Sequence, residues 1–190
     1  DNTAVVTLTA NFLNPAGTTA LPGANFGNPN FDGNLTIGQA RTLSGSLRMG
    51  VNSIYTTGGF TTTVNTPDTL YMNQTAAAGL VGAGTFVGTG TLNFGNNALG
   101  ATFPVANATS GAGNLSGRII LGDGVNFAAT YPVNNPTVLQ LNGTTQINAG
   151  VTLTINNTAA NSLSGVGKLQ AQAANSVLAF GAAANGSTVP

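Results

Sequence analysis

Apolar and polar positions alternate along this chain in short runs with a period of two, and no stretch keeps the 3.6-residue stripe of an amphipathic helix. The first run covers residues 4–12, AVVTLTANF. Ala4, Val6, Leu8 and Ala10 fall on one side of an extended strand, and Val5, Thr7, Thr9 and Asn11 on the other. Residues 13–33 come next, with Pro15, Pro22 and Pro29 among many glycines and asparagines. Proline cannot donate to a β-ladder, so this stretch reads as a loop or linker. A compact domain seldom carries so long a structureless connection, which leaves the first strand detached from the remainder of the chain.

From residue 34 the runs recur at short intervals. They are NLTIG (34–38), SLRMGV (46–51), FTTTV (60–64), TLYMN (69–73), GTFVGTGTLNFG (84–95) and GRIILG (117–122). Beyond them come VNFAA (125–129), TVLQLNG (137–143), TQINAGVTLTINN (145–157), GKLQAQ (167–172) and SVLAFG (176–181). Asparagine pairs at 96–97, 134–135 and 156–157 separate several of them, and asparagine tolerates tight corners. The pattern predicts an N-terminal strand and linker over residues 1–33 and a β-rich body over 34–190. Short strands joined by Gly/Asn corners without helices predict a β-solenoid, a parallel β-helix whose coils bury their apolar faces by stacking. An antiparallel β-sandwich fits the turn spacing almost as well. The core predicted for the body is Leu92, Phe94, Ile119, Leu121, Leu139, Leu141, Val151, Leu153, Ile155 and Phe180.

Two stretches, 80–97 and 163–183, share a Gly-x-Gly followed by a short apolar strand. GAGTFVGTGTLNFG and SGVGKLQAQAANSVLAFG resemble the Gly-x-Gly-x-Leu repeats of autotransporter passenger domains and related parallel β-helix surface adhesins, and INAGVTLTI is similar to a strand of the same families. The likeness covers residues 80–183, about half the chain. It implies a secreted, repetitive, surface-displayed body and supplies no catalytic residue that maps onto this sequence. The chain is short for such a protein and carries no membrane-anchoring barrel.

Composition narrows the functions open to such a chain. Of 190 residues, four are acidic and four basic, so charged residues make up 4% against the roughly 25% usual in globular domains. Hydrophobic residues make up 42%, which separates the chain from disordered sequences. No run approaches the roughly 20 apolar residues of a membrane helix. Even the uncharged tract over 69–117 is interrupted throughout by Gly, Asn and Thr. A membrane barrel would call for aromatic girdles and a polar lumen, which 6% aromatics and eight charges do not supply. The cations Arg41, Arg48, Arg118 and Lys168 are scattered and cannot neutralise a phosphate backbone, so nucleic acid is not an expected partner.

Candidate chemistry is sparse. With no His and no Cys, histidine-based triads, thiolate metal sites and disulfides are excluded. Ser162 and Ser164 lie near Lys168 in sequence, but in an ordinary strand and corner. Asp32, Asp68 and Asp123 are the carboxylates a solenoid hydrolase would have to bring together. Each sits in a turn, and turn placement is the simpler reading. Asp123 with Asn126, or Asp32 with Asn30 and Asn34, makes a poor calcium set. The Gly-x-Gly patterns at 82–84 and 88–90 lack the following helix of a phosphate loop. N-glycosylation sequons occur at Asn34, Asn73, Asn107, Asn114, Asn142, Asn156 and Asn185, close to the number chance provides. Asp1, directly before a strand, reads as an N-terminus left by processing.

The expectation is a non-catalytic extracellular or cell-surface structural protein, without cofactor or metal, whose partners are copies of itself. Zero net charge weakens repulsion between copies. The residues expected at the subunit interface are Ala4, Val5, Val6, Leu8, Ala10 and Phe12, lent to a neighbour's sheet edge by β-augmentation. The alternative is an adhesin or glycan-binding module, for which threonine-rich strands such as FTTTV would form the binding face.

Overall fold

A computed structural model describes residues 33–181 throughout, and before them residues 5–8, 20–22 and 31. The described chain winds as a succession of very short strands, each coil placing one strand on each of three faces. An opening coil contributes β1 (Val5–Leu8) and β2 (Ala20–Pro22). The next has β3 (Asn34–Ile37), β4 (Arg41–Ser44) and β5 (Leu47–Met49), followed by β6 (Ile54–Thr56), β7 (Thr62–Thr63) and β8 (Thr69–Met72). Then come β9 (Leu80–Val81), β10 (Phe86–Val87) and β11 (Thr91–Phe94). The fourth full coil reaches its third face at β12 (Arg118–Leu121). The fifth holds β13 (Asn126–Phe127), β14 (Tyr131–Val133) and β15 (Val138–Leu141), and the sixth β16 (Thr144–Ile147), β17 (Thr152–Ile155) and β18 (Leu163–Gly165). A last, partial coil supplies β19 (Lys168–Ala171) and β20 (Val177–Phe180).

All strand pairs are parallel and join a strand to its counterpart one coil away. This is a β-solenoid of about six turns, and the sandwich alternative is set aside: a sandwich requires antiparallel neighbours. A coil takes between 20 residues, as from Ile119 to its partner Leu139, and 29, as from Val5 to Asn34; the fourth takes 27, from Leu92 to Ile119. The third face is one unbroken sheet in the order β18-β15-β12-β11-β8-β5. The first and second faces are each interrupted at the fourth coil. There residues 103–116 form an irregular stretch in place of strands, held by the bridges Thr102↔Asn126, Gly88↔Leu115 and Ser110↔Leu115.

Alternation decides which side chains point in. In β8, β11, β15, β16 and β17 the burial pattern repeats as half-buried, buried, half-buried, buried. Parallel register then stacks like upon like. Leu47, Leu70, Leu92, Ile119, Leu139 and Leu163 form one buried column on the third face, and Met49, Met72, Phe94, Leu121 and Leu141 a second. Where the fourth coil widens, aromatic rings fill the interior. Phe103 lies 5.2 Å from Phe94, 5.0 Å from Phe127 and 4.9 Å from Tyr131, centroid to centroid. Corners bring backbone against backbone. A β-carbon on Gly117 would lie 2.0 Å from the Gly90 carbonyl oxygen of the preceding coil, so no larger residue fits.

Two expectations need correction. Phe180 is not a core residue: it stands over Ile155 in register but is 41% exposed, because among the described residues no further coil covers it. The other nine predicted core residues are buried. The stretch 13–33 is not free of ladders either. Ala20–Pro22 pairs with Thr42–Ser44, and Phe31 bridges to Met49. Pro22 is tolerated because β2 is the terminal strand of its sheet, where one side of the backbone needs no partner. The rest of that stretch, apart from Gly33, lies outside the described residues.

Candidate functional site

Most polar side chains of this solenoid join one coil to the next rather than converge on a pocket. The Asp68 carboxylate accepts the Gly45 N–H at 3.1 Å, and Asp123 accepts the Thr144 N–H at 2.9 Å. Asp123 also donates its own N–H to Asn96 Oδ1. Each carboxylate therefore fastens a corner of a neighbouring coil. Asp32 lies outside the described residues. No group of three or more His, Cys, Asp or Glu side chains forms a metal-binding cluster among the described residues. Ser162 is buried at the edge of β18, whereas Lys168 is exposed at the start of β19.

The asparagine pairs do more than turn corners. Asn97 takes the left-handed conformation expected of a turn, with φ of 50°. Asn134 and Asn156 instead form a side-chain ladder. Asn156 Nδ2 donates to Asn134 Oδ1 at 2.9 Å, and the Asn134 backbone N–H donates to Ser110 Oγ at 2.9 Å. Asn107 Nδ2 donates to the carbonyls of Gly82 and Gly84 in the coil before it. The amides of two sequon residues, Asn107 and Asn156, are thus engaged between coils.

The residues expected at the subunit interface divide in two. Val5, Val6 and Leu8 lie in β1, which pairs in parallel with Asn34–Ile37 of the same chain. Ala4, Ala10 and Phe12 lie outside the described residues. The ends of the solenoid are matched in topology. β1 and β2 occupy the first and second faces of the opening coil, and β19 and β20 occupy the same two faces of the last one. β19 and β20 are each the terminal strand of a sheet, and the residues around them include Val166 at 92%, Val177 at 43% and Phe180 at 41% exposure. Leu169 and Leu178 beside them are only partly covered. Sequence alone does not mark this end, because the same alternation belongs to a covered strand and an uncovered one.

The flank of the third face presents a polar ladder. The Arg48 guanidinium lies 3.5 Å above the Tyr71 ring centre, a cation–π contact between successive coils. Further along the same face, Arg118 donates to Gln140 Oε1 of the next coil. A shallow groove beside it is lined by Thr66, Thr89, Thr91, Ser116, Arg118 and Val138.

Inside the solenoid both buried phenols are hydrogen-bonded. Tyr55 and Thr62 share a 2.8 Å hydrogen bond, and Tyr131 donates to the Ala108 carbonyl. Burial pushes the phenol pKa of both tyrosines far above its ordinary value of 10. The unfolded chain releases these protons above about pH 10 while the folded chain keeps them, so stability is full below pH 10 and falls as pH rises beyond it. The two phenols together should cost about 2.7 kcal/mol per pH unit in that range. The expected absorbance titration has Tyr55 and Tyr131 ionising only together with loss of β-sheet circular dichroism. Ionisation of Tyr55 and Tyr131 in a chain that stays folded would show that these phenols are not buried.

Compared with known proteins, the chain matches no family model, no curated protein and no solved structure. The fold itself places it among all-β parallel solenoids. No helix among the described residues is long and apolar enough to cross a membrane.

Proposed function

We propose that this chain is a non-catalytic structural subunit of an extracellular filament, sheath or surface layer, in which copies stack head to tail. One observation supports the reading: among the described residues the solenoid closes with two terminal strands, β19 and β20, whose apolar side chains are partly covered, on the same two faces where the opening coil of a second copy would continue them. Parallel strands satisfy their outer N–H and C=O groups by adding another strand, so such an end is a template for association. Head-to-tail contacts of this kind do not close on themselves and propagate into fibres. Zero net charge offers little electrostatic resistance to it. The register that joins β1 to β3 within one chain is equally open to a β1 lent by a neighbour, which extends the same contact into strand exchange.

Two variants test the reading from opposite ends. Deleting residues 1–13 removes the lent strand, and Phe180→Asp places a charge on the uncovered coil. By negative-stain microscopy the parent chain is expected to form filaments, and both variants are expected to keep a β-sheet spectrum and form none. Filaments that persist in both variants would refute stacking through these ends.

A second reading, a surface-displayed glycan-binding module, is favoured by the hydroxyl-lined groove beside Arg118 and the Arg48–Tyr71 contact on the same face. It predicts monodisperse monomers that bind acidic glycans and lose binding with Arg118→Ala.

A further inference from the structure

The most anomalous residue of the interior is Arg41. It opens β4, whose alternation points Arg41 and Leu43 inward and Thr42 outward. Its side chain is 1% exposed, one of the largest fully buried side chains of the chain. In register it stands over Thr62, which in turn stands over Phe86, so a guanidinium shares an inward column with a hydroxyl and a phenyl ring. The inward neighbours on the other faces of the same coil are Leu35, Ile37, Leu47 and Met49, all fully buried and apolar.

Among the described residues nothing answers this charge. None of the three guanidinium nitrogens has a hydrogen-bond partner. The two described carboxylates are committed elsewhere, Asp68 to the Gly45 N–H and Asp123 to the Thr144 N–H. The hydroxyl of Thr62, next on its column, is bonded to that of Tyr55 on the first face. A guanidinium stays charged at any pH the fold survives, and a buried unpaired charge is among the most destabilising features a core can hold. Two other buried polar side chains find partners for their donors, Gln74 at the Gly79 carbonyl and Asn157 at the Thr137 carbonyl; the Thr145 hydroxyl has none, but it is neutral.

We infer that Arg41 is the seat of a carboxylate bound inside the first full coil, a planar two-oxygen anion gripped by the guanidinium fork. Two features select the chemistry. The fork presents parallel N–H donors that match the two oxygens of a carboxylate. The interior of the coil holds one positive charge, Arg41, between apolar walls, so a monoanion neutralises it, whereas a phosphate dianion would leave a net buried charge. The carboxylate is either a free small organic acid or a side chain offered by a second copy of the chain, and the two sources give different results.

The test is thermal unfolding of the full chain in sodium acetate and in sodium chloride at equal ionic strength, for the parent and for Arg41→Met, which keeps length and removes the charge. For a free carboxylate, acetate raises the parent Tm by about 5–10 °C at a hundredfold excess over Kd, and leaves Arg41→Met unmoved. For a carboxylate from a second copy, the parent Tm rises instead with protein concentration, and Arg41→Met abolishes that rise. Should Arg41→Met fail to fold, the Arg41 Nε–H resonance of the parent serves as readout: it shifts and saturates with acetate in the first case and with protein concentration in the second. The inference is overturned if the parent responds to neither, if acetate moves parent and variant equally, or if Asp1→Asn or Asp32→Asn alone reproduces the Arg41→Met behaviour, since the charge is then answered within the chain.

Discussion

Replacing Phe103 by alanine is expected to destabilise the chain by about 3–5 kcal/mol, one of the largest effects of any single truncation. The reason is position. On the third face the fourth coil is the longest, 27 residues from Leu92 to Ile119, and its irregular stretch over 103–116 leaves more interior to fill than a coil of 20 residues does. Phe103 is 1% exposed and touches three other rings, Phe94 of the coil before it and Phe127 and Tyr131 of the coil after it. Its removal therefore opens a void between coils, where collapse is opposed by the hydrogen-bonded ladders on either side. Aromatic pairs contribute about 0.5–1.5 kcal/mol each beyond their buried area, and three are lost together. Guanidinium unfolding followed by circular dichroism measures the cost. A loss under about 1 kcal/mol would mean that the fourth coil does not close around this ring.

Gly117→Ala is expected to cost more than about 3 kcal/mol, although it adds a single methyl group. The added carbon would sit 2.0 Å from the Gly90 oxygen and 2.3 Å from the Thr89 oxygen, and these are backbone atoms that cannot rotate away. Gly117 leads directly into β12, whose Arg118 N–H donates to that same Gly90 carbonyl at 3.0 Å, so relief of the clash breaks the ladder. Gly113→Ala is the control. Its β-carbon would meet nothing within 4 Å, and only its φ of +81° opposes a side chain. That left-handed backbone costs roughly 1–2 kcal/mol. Equal losses for the two variants would show that the corners are not in close contact.

How much of this could be read from the sequence depends on which physical signal each residue carries. The third face was legible, because TLYM, TLNF, RIIL and VLQL alternate cleanly and place their leucines, methionines and phenylalanine inward. Some of the shortest strands were not: Ile54–Thr56, Leu80–Val81 and Leu163–Gly165 are too short to display a period. β14 is hidden because Pro132 interrupts it, and Pro132 is admitted where β14 is the terminal strand of its sheet. Arg41 hides the strand it begins, since alternation is read from apolar residues and here a cation takes an inward position. Buried Thr62 and Thr145 conceal the inward side in the same way. Phe180 shows the opposite failure: period and residue type both say core, and only the end of the stack says otherwise. Of the candidate chemistry, the dispersal of Asp68 and Asp123 was visible in their turn positions. The inter-coil bonds they make depend on register, which no local pattern reveals.

Fibre diffraction from the concentrated, aligned protein tests the proposed assembly most directly. If copies continue one another's coils, the filaments give a strong meridional reflection near 4.8 Å, the spacing of strands stacked along the fibre axis. A chain that remains monomeric at every concentration, or fibres whose 4.8 Å reflection lies on the equator, would contradict it.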